Sequence, residues 1–334
     1  MPSLSIVQEP IDLEVVQKQH FAQPLVFFRL DPLTALVRSD YLLHLTNFRL
    51  RIPGRQVIRF ICSHPGSLPS IDLLDVSTSL MHEAEIEIIL MRFTTLRHLI
   101  ADQCGMKRID LLETGEWIAI GKSCALAGVK RAKDREKKLK LWLEANARTA
   151  LAHTTQAVEV DGGTTNPPIV RLRRGRRGLA TSTISLRDQE EWGKSLSSSR
   201  SNIQIDKINI FPPSPSLVSL ALSPSFQLPR DRYPDIVADF KKGWNEGLER
   251  LTAIRNRLRQ SLQNGIKVVH FAEVSASDVG LDGLVDVPQS AEAGFYDTAN
   301  IDMPILCLAG PGRGDNHAAG CGHVRGWDIW KDDL

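Results

Sequence analysis

A pattern of apolar side chains, L-x-x-L-x-L-x-x-apolar, recurs through the first third of the chain and restricts its folds more than any other feature. The copies are Leu25, Phe28, Leu30, Leu33; then Leu45, Phe48, Leu50 with Pro53; then Leu68, Ile71, Leu73, Val76; then Leu96, Leu99, Ala101, Cys104. Within a short strand such spacing sends alternate side chains to one side, and the last position turns the chain back into the core. The intervals suit a return path. Arg55–His64 carries Val57, Ile58 and Ile61 on one face, and Met81–Phe93 carries Ile86, Ile89, Leu90 and Phe93 at helical spacing. One such unit cannot cover its own apolar face, so neighbouring units must stack. The copies begin about 20–29 residues apart, a period typical of stacked strand-and-return repeats.

These features predict an α/β fold, a short leucine-rich-repeat solenoid over residues 25–125 with a curved parallel sheet and convex-side helices. The stretches LPSIDLLDVS and RFTTLRHLIADQCG resemble the ribonuclease-inhibitor-like repeats of F-box/leucine-rich-repeat proteins, in which cysteine often closes the template, as Cys104 does here. The following EWIAIGKSCALAGVKRAKDREKKLKLWLEAN resembles fungal proteins that join such repeats to a long helix. The resemblance covers about residues 25–147. It implies recognition of a protein partner, including substrate choice for a cullin-type ubiquitin ligase and contact with its adaptor. Residues 1–24, a lead-in, contain no recognisable F-box, the module that docks that adaptor.

If the leucine positions point inward, the third, fifth and seventh positions of each copy point to the concave face. Phe27, Arg29, Arg49, Arg51, Asp72, His98 and Asp102 are therefore the expected partner-binding residues. Arginine and aromatic side chains are those most enriched at binding hot spots. The plainer alternative pairs Arg29 with Asp31 and Arg51 with Asp72 as surface ion pairs, worth roughly 0–1 kcal/mol each.

Beyond the repeats, residues 126–152 read as a basic helix within a helical stretch from Glu116. Residues 153–232 are rich in Gly, Ser, Pro and Arg, and are expected to form a disordered insertion. Residues 233–274 read as a long amphipathic helix and a returning strand. Ile266, Val269, Phe271 and Val274 fit the repeat template and predict a late fifth strand of the repeat sheet. Residues 275–334 read as an acidic loop and a Gly- and Trp-containing tail.

The net charge of +2 and the 42% hydrophobic content describe an ordinary globular protein. No apolar run reaches the roughly 18 residues of a membrane helix, and the first residues lack the order of a signal peptide. Five scattered cysteines do not form a disulfide framework, which favours the cytoplasm or nucleus. The basic runs 130–140 and 171–177 support a rival class, a nucleic-acid-associated protein, although the first also suits a helix neutralised by the acidic segment within one molecule. Gly115-x5-Gly121-Lys122-Ser123 has one residue too many for a phosphate-binding loop and no strand leading into it. Neither G-x-S-x-G nor H-E-x-x-H occurs, so neither an enzyme nor a cofactor is expected. Cys307, His317, Cys321 and His323 are of the types that bind zinc. They lack C-x2-C or H-x3-H spacing, and Gly320, Gly322 and Gly326 suit a tight turn packed on Trp327 and Trp330. Such a turn is the expectation, with a metal site as its alternative.

Overall fold

Short strands with one inward side chain in two are stable only when paired on both edges and packed on a face, and this chain pairs most of its strands in sequence order. The computed structural model describes residues 2–8, 30–64, 66–106, 115–157 (side chains through 146), 208–223, 229–272, 280–288, 293–313 and 317–331. The chain divides into one unit of Met1–Leu139 with Ile208–Leu334 and another of Lys140–Lys207. In the latter, the described residues are the end of a helix that reaches Ala157.

The strands are β1 (Ser3–Val7), β2 (Asn47–Arg51), β3 (Leu73–Asp75), β4 (His98–Ile100), β5 (Ile208–Phe211), β6 (Ser219–Ala221), β7 (Lys267–Phe271), β8 (Leu284–Asp286) and β9 (Ile305–Cys307). The helices are α1 (Asp31–Val37), α2 (Ile58–Ile61), α3 (Glu83–Arg92), α4 (Glu116–Ala157), α5 (Tyr233–Gln263), α6 (Ala293–Tyr296) and α7 (Gly322–Trp330). The larger sheet has the order β1-β2-β3-β4-β6-β9, and every pairing in it is parallel. A three-stranded sheet, β5-β7-β8, stands beside it in the order of the chain.

Register aligns Phe48, Leu74, Leu99, Leu220 and Leu306 in one row, continued by Leu4 on β1. This row faces the main core, with Ile58 and Ile61 of α2, Ile86 and Ile89 of α3, Trp117 and Ile120 of α4, and Phe240 and Trp244 of α5. Parallel strands require a return segment between them, and these helices put the returns on one face. The α4–α5 contact depends on glycine. A Cβ on Gly121 would collide with the Phe240 carbonyl, and one on Gly243 with that of Ile118. Gly121 and Lys122 thus belong to a packed helix, and Lys122 pairs with Glu246 at 3.1 Å, which removes the phosphate-loop alternative.

Several sequence expectations change. Within the supposed lead-in, Ser3–Val7 forms the edge strand of the sheet. Leu30 and Leu33 of the first copy lie at and just inside the start of α1 rather than on a strand, and Leu25, Phe27, Phe28 and Arg29 fall outside the described residues. The third copy is out of frame: Leu74, not Leu73, aligns with Phe48 and Leu99, so its inward series is Ile71, Leu74, Val76. Ile71 then sits midway between Leu45 and Leu96, at a period of about 25 residues. Of the expected insertion, residues 158–207 and 224–228 lie outside the described residues, yet β5 and β6 form within its bounds. The late fifth strand is also reassigned. β7 pairs with β5 and β8 in the smaller sheet, whereas β6 and β9 extend the larger one after β4. The C-terminal stretch, most of whose described residues lie outside helices and strands, also contributes β8, α6, β9 and α7.

Candidate metal centre

The second face of the six-stranded sheet carries Asn47, Leu73, His98, Ser219 and Ile305 in one row and Arg49, Asp75, Ile100, Ala221 and Cys307 in the next. Helix α7 lies on this face over β4 and β6. Leu73, Ile100, Ala221, Cys307 and Cys321 are buried there together, with Val324, Ile329 and Trp330 packed against them. Two glycines four residues apart let the helix settle on the strands. A Cβ on Gly322 would lie 3.0 Å from Ile100 Cγ1, and one on Gly326 3.5 Å from Ile100 Cδ1. Only Gly320, at φ +80°, serves the turn foreseen for all three.

At the N-terminal end of α7 four donor groups converge. Cys307 closes β9, His317 stands on the following loop, Cys321 is the N-cap of α7, and His323 lies in its first turn. Their ligand atoms all lie within 4.8 Å of one another. His317 Nδ1 is 3.5 Å from Cys307 Sγ and 3.8 Å from Cys321 Sγ, and His323 Nδ1 is 4.0 Å from Cys321 Sγ. Zinc bond lengths of about 2.3 Å to sulfur and 2.0–2.1 Å to nitrogen correspond to tetrahedral edges of about 3.3–3.8 Å. The donors are thus spaced close to what one such ion requires. In the sequence these donors lack paired C-x2-C or H-x3-H spacing. Here a strand end, a loop and a helix start each contribute.

Both imidazoles are held from behind. His317 Nε2 donates to the Gly312 carbonyl at 2.7 Å, and His323 Nε2 meets Asp102 Oδ2 at 2.5 Å. Asp102 is itself fixed by the Ser223 backbone N–H, which donates to its Oδ1 at 2.9 Å. These arrangements hold a proton on each Nε2 and turn each Nδ1 toward the cluster. Trp327 shields the cluster, its ring edge-on to His317 at 4.7 Å between centroids.

The electrostatics favour a thiolate. The Cys321 thiol is drawn down to about 3 by the hydrogen bond from Cys307, against the cost of burial, with His323 and His317 adding to the effect. Cys307, as donor in that bond, is pushed up. For His323, burial opposes the charged form, but hydrogen bonds to Asp102 and Cys321 prevail and lift it to about 9. A helix N-terminus beside Cys321 acts in the same direction as these hydrogen bonds. By contrast, burial pushes Cys62 and Cys124 up to about 12 and raises Cys104 further, so these three remain neutral thiols.

The residues expected on an open concave face are mostly covered. Arg49 is 5% exposed, lies 4.0 Å beneath the Trp330 ring and pairs with Asp75 at 3.3 Å. Arg51 pairs with the same carboxylate at 2.7 Å, in place of the anticipated Asp72. Asp72 instead meets Arg325 of α7. His98 is buried, with Nδ1 2.8 Å from Ser219 Oγ, and Asp102 holds His323. The frame shift in the third copy hid Asp75, the residue that organises this patch.

The basic run 130–140 on α4 keeps Lys130, Lys133, Lys137, Lys138 and Lys140 exposed and turns only Arg131 and Arg135 inward. Lys130 pairs with Glu87, Arg131 lies 4.1 Å over the Phe271 ring, and the buried Arg135 donates to the carbonyls of Gly280 and Asp282. The run 171–177 lies outside the described residues. Among the described residues, no helix is long and apolar enough to cross a membrane. Comparison with known protein families, curated proteins and solved structures finds no match for this chain.

Proposed function

We propose that this chain is a non-enzymatic protein-recognition scaffold, built as a short leucine-rich-repeat solenoid of the ribonuclease-inhibitor-like kind. The observation that carries this is the unbroken apolar row Phe48–Leu74–Leu99–Leu220–Leu306 across parallel strands taken in chain order, with the return helices packed on it. Stacked strand-and-return units with one conserved inward row are how repeat solenoids build an extended binding face. The four-donor cluster supports a non-catalytic role, because four protein ligands leave a tetrahedral ion no open position for substrate. Buried thiols kept reduced suit the cytoplasm or nucleus.

Helix α7 covers β4 and β6, so a partner is expected at the β1–β2 end, where Ser5 and Val7 are exposed and the partly exposed Arg51 stands beside Val7 in register. Val7 is 52% exposed, unusual for a valine on a strand. Affinity purification of wild type alongside the Ser5→Arg/Val7→Asp double variant tests the assignment. A protein captured by wild type and lost from the variant, at equal melting temperature, is the expected result. A cullin-ligase adaptor among the captured proteins would extend the role to substrate recognition for ubiquitin transfer. Retention of every captured protein by the variant would refute this end of the sheet as the site.

A further inference from the structure

We propose that Cys307, His317, Cys321 and His323 bind one zinc ion in a closed tetrahedral site, and that this ion fastens α7 across the sheet. The inference does not rest on the recognition role. Its first support is geometric: two sulfurs and two imidazole nitrogens, brought from a strand end, a loop and a helix start, surround one point. Its second is the supporting shell. Both histidines have their far nitrogens bonded to fixed oxygen acceptors, Gly312 O and Asp102 Oδ2, so each Nδ1 is aimed inward at the two sulfurs. A cluster serving only as packing has no need of this orientation.

The third support is what α7 would be without an ion. A nine-residue helix has too few turns to be stable in water by itself. Its apolar contact with the sheet is small, centred on Leu73, Ile100 and Ala221. The loop leading to it contains glycines at 310, 312 and 320, two of them at positive φ. Two ligands on α7 and two on the sheet and its loop give the helix the anchor that its packing lacks.

The donor set selects the ion. Hard cations such as magnesium and calcium require oxygen ligands. Tetrahedral nitrogen–sulfur sites select zinc among the available divalent metals. Binding forms two zinc–sulfur and two zinc–nitrogen bonds and releases two protons to solvent, one from the Cys307 thiol and one from the hydrogen bond between His323 Nδ1 and Cys321, with no change of oxidation state. The two thiolates then balance the double positive charge, so a neutral unit is buried.

Metal analysis of the full chain, purified under reducing conditions and supplied with zinc, is expected to give one zinc per molecule. Replacement by cobalt(II) should produce the intense visible absorption of a tetrahedral thiolate site, a readout that needs no variant to fold. Cys321→Ser and His317→Ala should lose the ion, whereas Cys124→Ser should keep it. Chelation should speed amide exchange across Val324–Trp330 by at least about tenfold and leave β2 and β3 unchanged. Absence of zinc, with Cys307 and Cys321 joined as a disulfide or both free, would overturn the site. Weak, octahedral-type cobalt absorption would do the same. Bound zinc with unaltered exchange on its removal would overturn the fastening role.

Discussion

The two faces of the six-stranded sheet are made by the same strands, yet they depend on different physics. On one, Phe48, Leu74, Leu99, Leu220 and Leu306 form a wholly apolar row under the return helices. Burial alone stabilises such a face, and any side chain of similar size and polarity serves. On the other, Arg49, Asp75, His98, Asp102 and Cys307 are buried beneath a single short helix. Polar groups removed from water cost free energy unless each finds its partner, so this face requires particular atoms at particular distances. The difference teaches that the first face is tolerant and global, and the second specific and local.

The largest expected effect tests the apolar face. Phe48→Ala should destabilise the protein by about 3–5 kcal/mol in urea unfolding, since the ring is fully buried. A loss under about 1 kcal/mol would mean the row is not the core. On the opposite face, Asp102→Asn keeps the shape but sets an amide against the His323 ring N–H. It should cost about 1–3 kcal/mol and lower zinc affinity about 10–100-fold in chelator competition. Unchanged affinity would show that Asp102 does not orient the ligand.

A smaller effect belongs to the Trp330 ring over Arg49. A double-mutant cycle with Trp330→Leu and Arg49→Met should give a coupling of about 1–2 kcal/mol, the range for a desolvated cation–π pair. Zero coupling would reduce α7 to a loosely laid cover. The smallest effect is pH-dependent. Burial, helped by nearby Arg325, lowers the His98 pKa from 6.5. Folded His98 therefore stays neutral where the unfolded chain begins to take up its proton. Its contribution is complete above pH 6.5 and is lost as pH falls through the lowered value. Urea midpoints of His98→Gln and wild type should diverge less as the pH is brought down from neutrality, and a constant difference would break the assignment.

The apolar face was largely legible in the sequence and the polar one was not, for reasons visible in single residues. Leu45-Phe48-Leu50 and Leu96-Leu99-Ala101 lie in the frame their spacing indicates. The third copy slipped because Leu73 is apolar too: α7 covers its face, which erases the alternation that marks register. Leu217-x-x-Leu220-x-Leu222 matches the first six positions of the template, but it follows the FPPSPS stretch and passed as insertion. Met303-x-x-Leu306-x-Leu308 passed as a short apolar run. Conversely, Ile266, Val269, Phe271 and Val274 carry template spacing while β7 pairs in the other sheet. Spacing within a strand does not specify which strand it joins.

By itself, then, the sequence determined which side chains must be buried, where the long helices run, and that zinc-type donors crowd the C-terminus. These depend on composition and local period, which act over a few residues. Tertiary structure alone decided that β6 and β9 follow β4, that Asp75 gathers Arg49 and Arg51, and that Asp102 stands behind His323, 221 residues away. Those facts depend on which distant strands share hydrogen bonds. Pairing energy is nearly the same for many partners, and only the packed whole selects among them.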